Sequence, residues 1–263
     1  MQLDLTGKHA LVCGASQGIG RATAIELAQL GADVTVLARS RDALEAVVGV
    51  LPRLHGGQRH AAAVVDMVDT DALQALAIDL AAARPVQVLV ANSGGPPGGP
   101  AHGADPAAYL AAFRQHLVGG QVLVQAVLPG MRAAGYGRIV NVISTSVKEP
   151  IANLGVSNTV RAAVAGWAKT LASELAADGI TVNNVLPGYT RTGRLDSLIA
   201  AKAAASGQSA ETVARGMLAG VPAARFGEPQ DIAAMIAFLC TPAAGYVNGT
   251  SIAVDGGRTR SLS

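Results

Sequence analysis

The chain has 263 residues, 50% of them hydrophobic, so it can bury a large core, and we expect one α/β domain over residues 1–263. The formal net charge of +2 gives no support for a nucleic-acid partner. Two widely separated cysteines, Cys13 and Cys240, offer neither a metal-ligand spacing nor a disulfide framework.

The segment 1–8 contains no apolar signal sequence, and no later stretch reaches the ~20 uninterrupted apolar residues of a membrane span. We therefore expect a cytoplasmic protein with neither a bound metal nor a membrane partner. From residue 9 onward, short apolar runs alternate with longer helical patterns, which indicates a parallel sheet with helices on both faces.

The predicted strands are His9–Cys13, Asp33–Ala38, Ala61–Val65, Val86–Ala91, Arg138–Ile143, Ile180–Leu186 and Ser251–Val254. The predicted helices are Ile19–Leu30, Arg41–Val50, Thr70–Ala83, Pro106–Ala134, Leu154–Ala177 and Pro229–Leu239, with Asp105 as an N-cap before Pro106.

A glycine-rich turn follows the first predicted strand and leads directly into a helix. Its sequence is Gly14-Ala15-Ser16-Gln17-Gly18-Ile19-Gly20. Glycines allow a tight turn, and the helix N-terminus offers free N–H groups to a pyrophosphate. A glycine-rich turn that binds nothing is the alternative interpretation.

Two segments break the alternation of strands and helices: Gly94–Gly103, rich in Gly and Pro, and Thr190–Gly227. Both follow predicted strands, so both should lie at the carboxyl edge of the sheet, where ligands bind in such folds. We expect the segment 190–227 to cover the substrate. Ordinary surface loops are the alternative for each segment.

Several further elements resemble the short-chain dehydrogenase/reductase family over nearly the whole chain. They are the Gly-x-x-x-Gly-x-Gly turn, Asp66, Ala91-Asn92-Ser93-Gly94, the strand ending in Ser144, Ile180-Thr181-Val182-Asn183, Pro187-Gly188 with Thr192, Arg225-Phe226-Gly227-Glu228-Pro229 and Val254-Asp255-Gly256-Gly257. The likeness is greatest to members that resemble 3-oxoacyl-acyl-carrier-protein reductases.

This resemblance implies a Rossmann-type, doubly wound, seven-stranded parallel sheet that binds a dinucleotide. The residues implied to bind the cofactor are Gly14, Ser16, Gln17, Gly18, Ile19, Gly20, Arg39, Ser40, Asp66, Met67, Asn92, Ser93, Gly94, Arg161, Pro187, Gly188, Thr190 and Thr192. Within this set, the family's residue at Asp66 accepts a hydrogen bond from the adenine amino group.

The choice of cofactor depends on the end of the second predicted strand. An acid there would bond the ribose hydroxyls and repel a 2′-phosphate, whereas this chain has Ala38-Arg39-Ser40. Because Arg can pair bidentately with a phosphate, we expect NADP, with NADPH preferred over NADH. Arg41 either assists Arg39 or faces water.

The catalytic residues depart from the family pattern. The family carries Tyr-x-x-x-Lys where this chain has Ser157-Asn158-Thr159-Val160-Arg161, and His116 stands where an Asn is expected. Ser144 matches the family's serine. The candidate catalytic residues are therefore Ser144, Ser157, Arg161 and His116.

Each departure has a structural alternative. Ser157 is a candidate helix N-cap, Arg161 a candidate ion-pair partner of Glu149, and His116 a candidate packing residue. Lys148 and Tyr189 follow predicted strands, so either is a candidate proton donor or a solvated loop residue.

Three functions are compatible with these residues. The first is an NADPH-dependent oxidoreductase that acts on a small carbonyl or alcohol. The second is an isomerase or lyase on the same fold, and the third is a catalytically silent nucleotide-binding or scaffold protein. Arg191, Arg194, Lys202 and Arg215 could favour an anionic substrate, and a solvated helix face explains the same charges.

The long patterns 106–134 and 154–177 carry apolar residues on at least two faces. A helix covered on one side by a sheet exposes the other apolar face unless a partner covers it. Relatives in the family pack these helices across two-fold axes, so we expect a homotetramer.

Overall fold

The computed structural model describes residues 1–54 and 56–262. Its strands form a seven-stranded parallel sheet in the order β3-β2-β1-β4-β5-β6-β7. The strands are β1 (His9–Cys13), β2 (Asp33–Ala38), β3 (Ala61–Val64), β4 (Val88–Ala91), β5 (Gly137–Val142), β6 (Ile180–Pro187) and β7 (Ser251–Val254). The expected fold class is confirmed, and every predicted strand is present within two residues of its predicted bounds.

Helices cover both faces of the sheet. They are α1 (Gly18–Gln29), α2 (Arg41–Val50), α3 (Thr70–Ala83), α4 (Pro106–Phe113), α5 (Gly119–Ala133), α6 (Gly155–Leu175), α7 (Gly193–Ser206), α8 (Ala210–Leu218) and α9 (Pro229–Leu239). One core includes Leu27 of α1, Leu44 of α2 and Ile236 of α9. The core on the other face includes residues of α3, α5 and α6 such as Leu73 and Leu123.

Local signals in the sequence explain several helix starts. Asp105 accepts a hydrogen bond from Ala107 N at 2.8 Å and is followed by Pro106, as predicted. Ser40 and Asp69 cap α2 and α3 in the same way. Such caps satisfy N–H groups that the helix itself leaves without partners.

The predicted helix 106–134 is interrupted. A π-helical turn, Arg114–Val118, separates α4 from α5. The apolar periodicity correctly predicts helix on both sides of this turn, but it does not reveal the extra residue that a π-helical turn contains. Gly119 follows the turn, and a Cβ at that position would lie 3.2 Å from Met67 O.

The segment 190–227 is more helical than its sequence suggests, because it contains α7 and α8. These two helices pack on each other through a small cluster that includes Leu195, Val213, Met217 and Phe226. Across residues 1–54 and 56–262, no helix combines the length and apolar character needed to cross a bilayer.

The position of β1 determines where a ligand can bind. β1 lies between β2 and β4. The sheet is extended from β1 toward β3 on one side and from β4 toward β7 on the other, so the strand order reverses at β1. The connections after β1 and β4 therefore diverge and leave a crevice beyond the carboxyl ends of these strands.

Candidate functional site

A cavity of about 830 Å³ opens at the carboxyl edge of the sheet. Residues that follow β1, β2, β3, β4, β5 and β6 line it, and α6 and α7 contribute further side chains. Every candidate cofactor-binding residue lines this cavity except Gly20, which packs directly behind it.

The glycine-rich turn after β1 is shaped by close backbone approaches. Gly14 has φ +59°, and a Cβ there would lie 2.7 Å from Asn92 O. A Cβ at Gly20 would collide with Gly14 O. Asn92 ties this turn to β4, because its Nδ2 donates to Cys13 O and Gly14 O at 3.3 and 3.2 Å. Side chains larger than hydrogen are therefore excluded where the turn meets β4.

The same turn leaves hydrogen-bond donors facing the cavity. Gln17 is the N-cap of α1 and makes no side-chain cap, and the first turn of α1 contains no acidic residue. Gly18 has φ +56°, and a Cβ there would lie 3.1 Å from Thr192 Cγ2. The uncapped helix N-terminus and the narrow gap beside Thr192 fit the phosphate groups of a dinucleotide.

Arg39 lines the cavity beyond the end of β2. Its side chain is 79% exposed, and its Nη1 lies 3.8 Å from Asp66 Oδ2. Arg41 does not line the cavity, and its Nη1 lies 3.8 Å from Glu45 Oε1, one turn along the exposed surface of α2. Of the two arginines, only Arg39 is available to a ligand in the cavity.

Ser144 and Ser157 line the opposite part of the cavity. Ser144 follows β5, and its Oγ accepts a hydrogen bond from Ser146 N at 3.1 Å, which leaves its O–H free to donate. Ser157 is buried in the first turn of α6, whose N-cap is Leu154, so the interpretation of Ser157 as an N-cap is wrong.

The start of α6 is held in place by neighbouring loops. A Cβ at Gly155 would collide with Ala101, and Asn158 donates from Nδ2 to Ile151 O at 2.9 Å. These contacts fix the direction in which Ser157 and Arg161, four residues apart on one helix face, meet the cavity.

Arg161 is a buried cation, only 7% exposed. Its Nη1 donates to Val142 O at 2.8 Å at the end of β5, and its Nε has no partner. Burial, followed by the charge of Arg194, lowers the pKa of Arg161 to about 10, so it remains charged at neutral pH. It forms no ion pair with Glu149, whose Oε1 accepts from Arg260 N instead.

His116 lies in the π-helical turn and is buried behind the cavity wall rather than lining it. Its Nδ1 is 2.7 Å from Ser93 Oγ, and Ser93 does line the cavity. Burial, followed by the charge of Arg161, lowers the pKa of His116 to about 2, so the ring is neutral at physiological pH.

Some cavity residues are not identified by the sequence. Leu195 and Leu198 come from α7, and Arg258 comes from the C-terminal segment, where its guanidinium stacks 4.5 Å from the ring of Tyr189. The apolar spacing of α7 could have indicated the two leucines. No local signal marks Arg258, because the tail reaches the cavity only in the folded chain. Lys148 does not line the cavity.

Comparisons with known proteins agree with this geometry. The sequence model of the family described as short chain dehydrogenase matches residues 8–203. The 3-oxoacyl-acyl-carrier-protein reductase FabG of Haemophilus influenzae is 34% identical over 96% of this chain and 98% of its own length. Cis-4-hydroxycyclohexanecarboxylate dehydrogenase of Sinomonas cyclohexanicum is 37% identical over 95% and 96%.

Among solved structures, the L-sorbose reductase of Gluconobacter frateurii, complexed with NADPH and L-sorbose, superposes with a TM-score of 0.91. It is 27% identical to this chain, and the alignment covers 100% of both chains.

Proposed function

The chain belongs to the short-chain dehydrogenase family, and we propose that it is an NADP(H)-dependent oxidoreductase that reduces a carbonyl or oxidises an alcohol with an atypical set of catalytic residues. The observation that carries this proposal is the meeting of Ser144, Ser157 and the buried Arg161 in the cavity that the glycine-rich turn also lines. The complex of L-sorbose reductase with NADPH supports the choice of cofactor.

The chain's own residues fit the two parts of such a cofactor. The turn Gly14–Gly20 and the N-terminus of α1 would hold the pyrophosphate, and Arg39 would pair with the 2′-phosphate. When bound, NADPH supplies a hydride to the carbonyl carbon.

The residues around the reacting oxygen would act by hydrogen bonding and fixed charge. In the reducing direction, the O–H groups of Ser144 and Ser157 donate hydrogen bonds to the carbonyl oxygen. Arg161 lowers the energy of the negative charge that develops on that oxygen, because its guanidinium stays charged in a buried environment.

The proton would come from water rather than from a histidinium. With a pKa of about 2, His116 carries no second proton to give at neutral pH. Its contact with Ser93 instead makes it a positioning residue that fixes the Ser93 hydroxyl on the cavity wall.

Replacement of Arg161 tests the proposal. Arg161→Ala should lower kcat about 100-fold or more on a carbonyl panel, with cofactor absorbance as the readout, while calorimetry shows that NADPH still binds. If the native protein and Arg161→Ala both bind NADPH and are equally inactive, the chain is a nucleotide-binding protein and the oxidoreductase assignment is wrong.

We also propose that the protein is a homotetramer with two-fold symmetry. Leu110, Phe113 and Val118 are exposed along α4 and the π-helical turn, which leaves apolar surface for a second copy to cover. A monomeric mass from light scattering at micromolar concentration would reject this assembly.

A further inference from the structure

The cations that line the cavity fall into two groups. Arg39 is near Asp66, and Arg191 pairs with Glu228 at 3.0 Å. The other three arginines of the lining are Arg161, Arg194 and Arg258. Among the described residues, no Asp or Glu forms an ion pair with any of these three.

The three arginines without a carboxylate partner lie near the candidate catalytic serine. Arg161 donates to Val142 O, two residues before Ser144, and Arg258 Nη1 is 3.4 Å from the hydroxyl of Thr145, the next residue. Asp66 is the only acidic residue that the described part of the chain contributes to the lining, and it faces Arg39. The end of the cavity around Ser144, Ser157 and Arg161, here called the reaction end, therefore has three arginines and, among the described residues, no carboxylate in its lining.

Arg161 and Arg194 converge on one point of the loop after β4. A Cβ at Gly95 would lie 3.5 Å from Arg194 Nη2 and 3.7 Å from Arg161 Nη2. Arg194 is exposed and lines the cavity, and it donates from the same Nη2 to Pro96 O at 2.6 Å, which ties its guanidinium to the loop after β4. Two like charges placed together repel each other, and the pKa of Arg161 is lowered partly for this reason.

A buried cation without a counterion is unfavourable unless a ligand supplies the opposite charge. Arg161 is such a cation, since its Nε lacks a partner and its side chain is almost fully buried. A neutral ketone or the hydroxyls of a ribose would accept hydrogen bonds and leave the charge uncompensated. A carboxylate compensates it and matches the planar fork of a guanidinium.

We propose that the reaction end of the cavity binds a carboxylate, so that the substrate is a short oxo acid or the corresponding hydroxy acid, and that Arg194 is the residue that selects for the anion. This inference rests on the proposed function. The oxo acid gains a hydride at its carbonyl carbon and a proton at its oxygen, and becomes a hydroxy acid while NADPH becomes NADP⁺.

The structure also separates Arg194 from the other cations of the segment 190–227. Arg191 is compensated by Glu228, and Arg215 pairs with Glu211 at 2.8 Å on the surface of α8. Lys202 lines a second cavity, which adjoins the first at Tyr189 and Arg258, and does not line the one beside Ser144. Arg225 pairs with Asp231 at 2.6 Å and does not line this cavity. Within the segment 190–227, Arg194 is therefore the cation that lines the cavity and pairs with no Asp or Glu of the described residues.

Matched substrates test the carboxylate assignment. Oxo acids of four to eight carbons are compared with their methyl esters, which keep the ketone and remove the charge. The native protein should favour the acids in kcat/KM. Arg194→Ala should lower kcat/KM for the acids ~10- to 100-fold, mainly through KM, and change the esters less than about threefold.

Two further variants isolate the role of the charge. Arg194→Lys keeps a cation without the planar fork and should recover part of the lost activity on the acids. Arg215→Ala removes a cation of the same segment outside the cavity and should leave the preference for acids unchanged.

A binding experiment keeps the inference separate from the proposed function. Butanoate and butanamide are titrated into the NADP⁺-loaded protein by calorimetry, and butanoate should bind more tightly in an Arg194-dependent way. If no carbonyl compound is reduced but this result is obtained, the oxidoreductase proposal fails and the anion site stands.

Three results would overturn the inference. Equal turnover of acids and esters by the native protein would remove the basis for an anionic substrate. If Arg194→Ala weakened the binding of NADPH and of butanoate equally, Arg194 would be a residue that binds the cofactor phosphates. A higher kcat/KM for dihydroxyacetone phosphate than for every oxo acid would show that the site selects a phosphate rather than a carboxylate.

Discussion

The two ends of the cavity are built on different principles. At the nucleotide end, which comprises the turn 14–20 and the residues after β2 and β3, the turn is held by contacts among backbone groups, glycines and one amide side chain, as where Gly14 and Gly20 pack against Asn92. At the reaction end, the contacts are made by side chains, including Ser144, Ser157 and Arg161.

This difference constrains the sequences of the two ends unequally. A turn in which a Cβ has no space admits glycine alone, so its sequence is constrained by geometry. A side chain that reaches an open cavity can be exchanged without disturbing the fold. The sequence of the nucleotide end is therefore determined by the fold, whereas the side chains at the reaction end determine the chemistry.

The largest effect is expected where the backbone is most crowded. Gly20→Ala should destabilise the protein by about 3 kcal/mol and abolish measurable NADPH binding, because the methyl group collides with Gly14 O and approaches Asn92 Nδ2 at 2.9 Å. Urea unfolding and calorimetry measure the two effects.

Gly49→Ala is the matched control for Gly20→Ala. Gly49 lies on the exposed face of α2, and nothing is within 4 Å of the added Cβ, so this variant should be about 0.5–1 kcal/mol more stable. Unchanged NADPH binding in Gly20→Ala would show that the turn does not depend on the close approach.

The reaction end should accept larger chemical changes. Ser157→Tyr combined with Arg161→Lys places a phenol four residues before an ammonium and should raise carbonyl-reduction kcat roughly 10- to 100-fold, because a phenol beside an ammonium is a better proton donor than water. Ser157 borders the cavity, which gives the ring a direction in which to extend.

Each single replacement is the control for this double variant, since a phenol without the ammonium and an ammonium without the phenol should both give less activity. A double variant that folds, binds NADPH and is slower than the native protein would show that Ser157 and Arg161 form a specialised set.

Much of the fold could be predicted from the sequence, because strands buried on both faces are continuous apolar runs and helix starts carry recognisable caps. The bounds of β1, β2, β7 and α2 agree with the predicted ones. The π-helical turn at residues 114–118 could not be predicted, because one inserted residue does not visibly change the apolar periodicity of a helix.

The candidate site could be predicted only in part. Positions such as Gly14 and Asn92 follow strand ends, and the parallel topology brings all strand ends to one edge. Arg258 enters the cavity from the C-terminal segment, and Ser93 meets His116 across 23 residues of chain. Contacts of that kind depend on tertiary packing and have no local sequence signal.

An effect of similar size is expected from the exposed part of the nucleotide end. Arg39→Asp should weaken NADPH binding ~100-fold and leave NADH binding equal or improved, because the new carboxylate repels a 2′-phosphate. Calorimetry with both cofactors measures the change. Arg41→Asp makes the same charge change outside the cavity and should leave the preference intact. Equal binding of the two cofactors by the native protein would contradict the role of Arg39.

The smallest effect concerns His116, a titratable ring that lies behind the reaction end. The pKa of His116 is lowered to about 2, whereas a histidine in the unfolded chain binds its proton below a pH of about 6.5. Between these values the unfolded state holds one more proton, so stability falls as the pH drops below 6.5. From pH 7 to pH 5 this should amount to about 2 kcal/mol.

His116→Asn removes the titrating ring and should remove that loss of stability, as measured by urea unfolding at pH 7 and pH 5. His9 and His60 keep their lowered pKa values in the variant, because burial of their own rings is the largest cause, so a smaller acid destabilisation remains. His102→Asn changes an exposed ring and serves as the control. If His116→Asn and the native protein lose the same stability between pH 7 and pH 5, His116 already takes up a proton in the folded state. It would then be able to donate that proton at the reaction end.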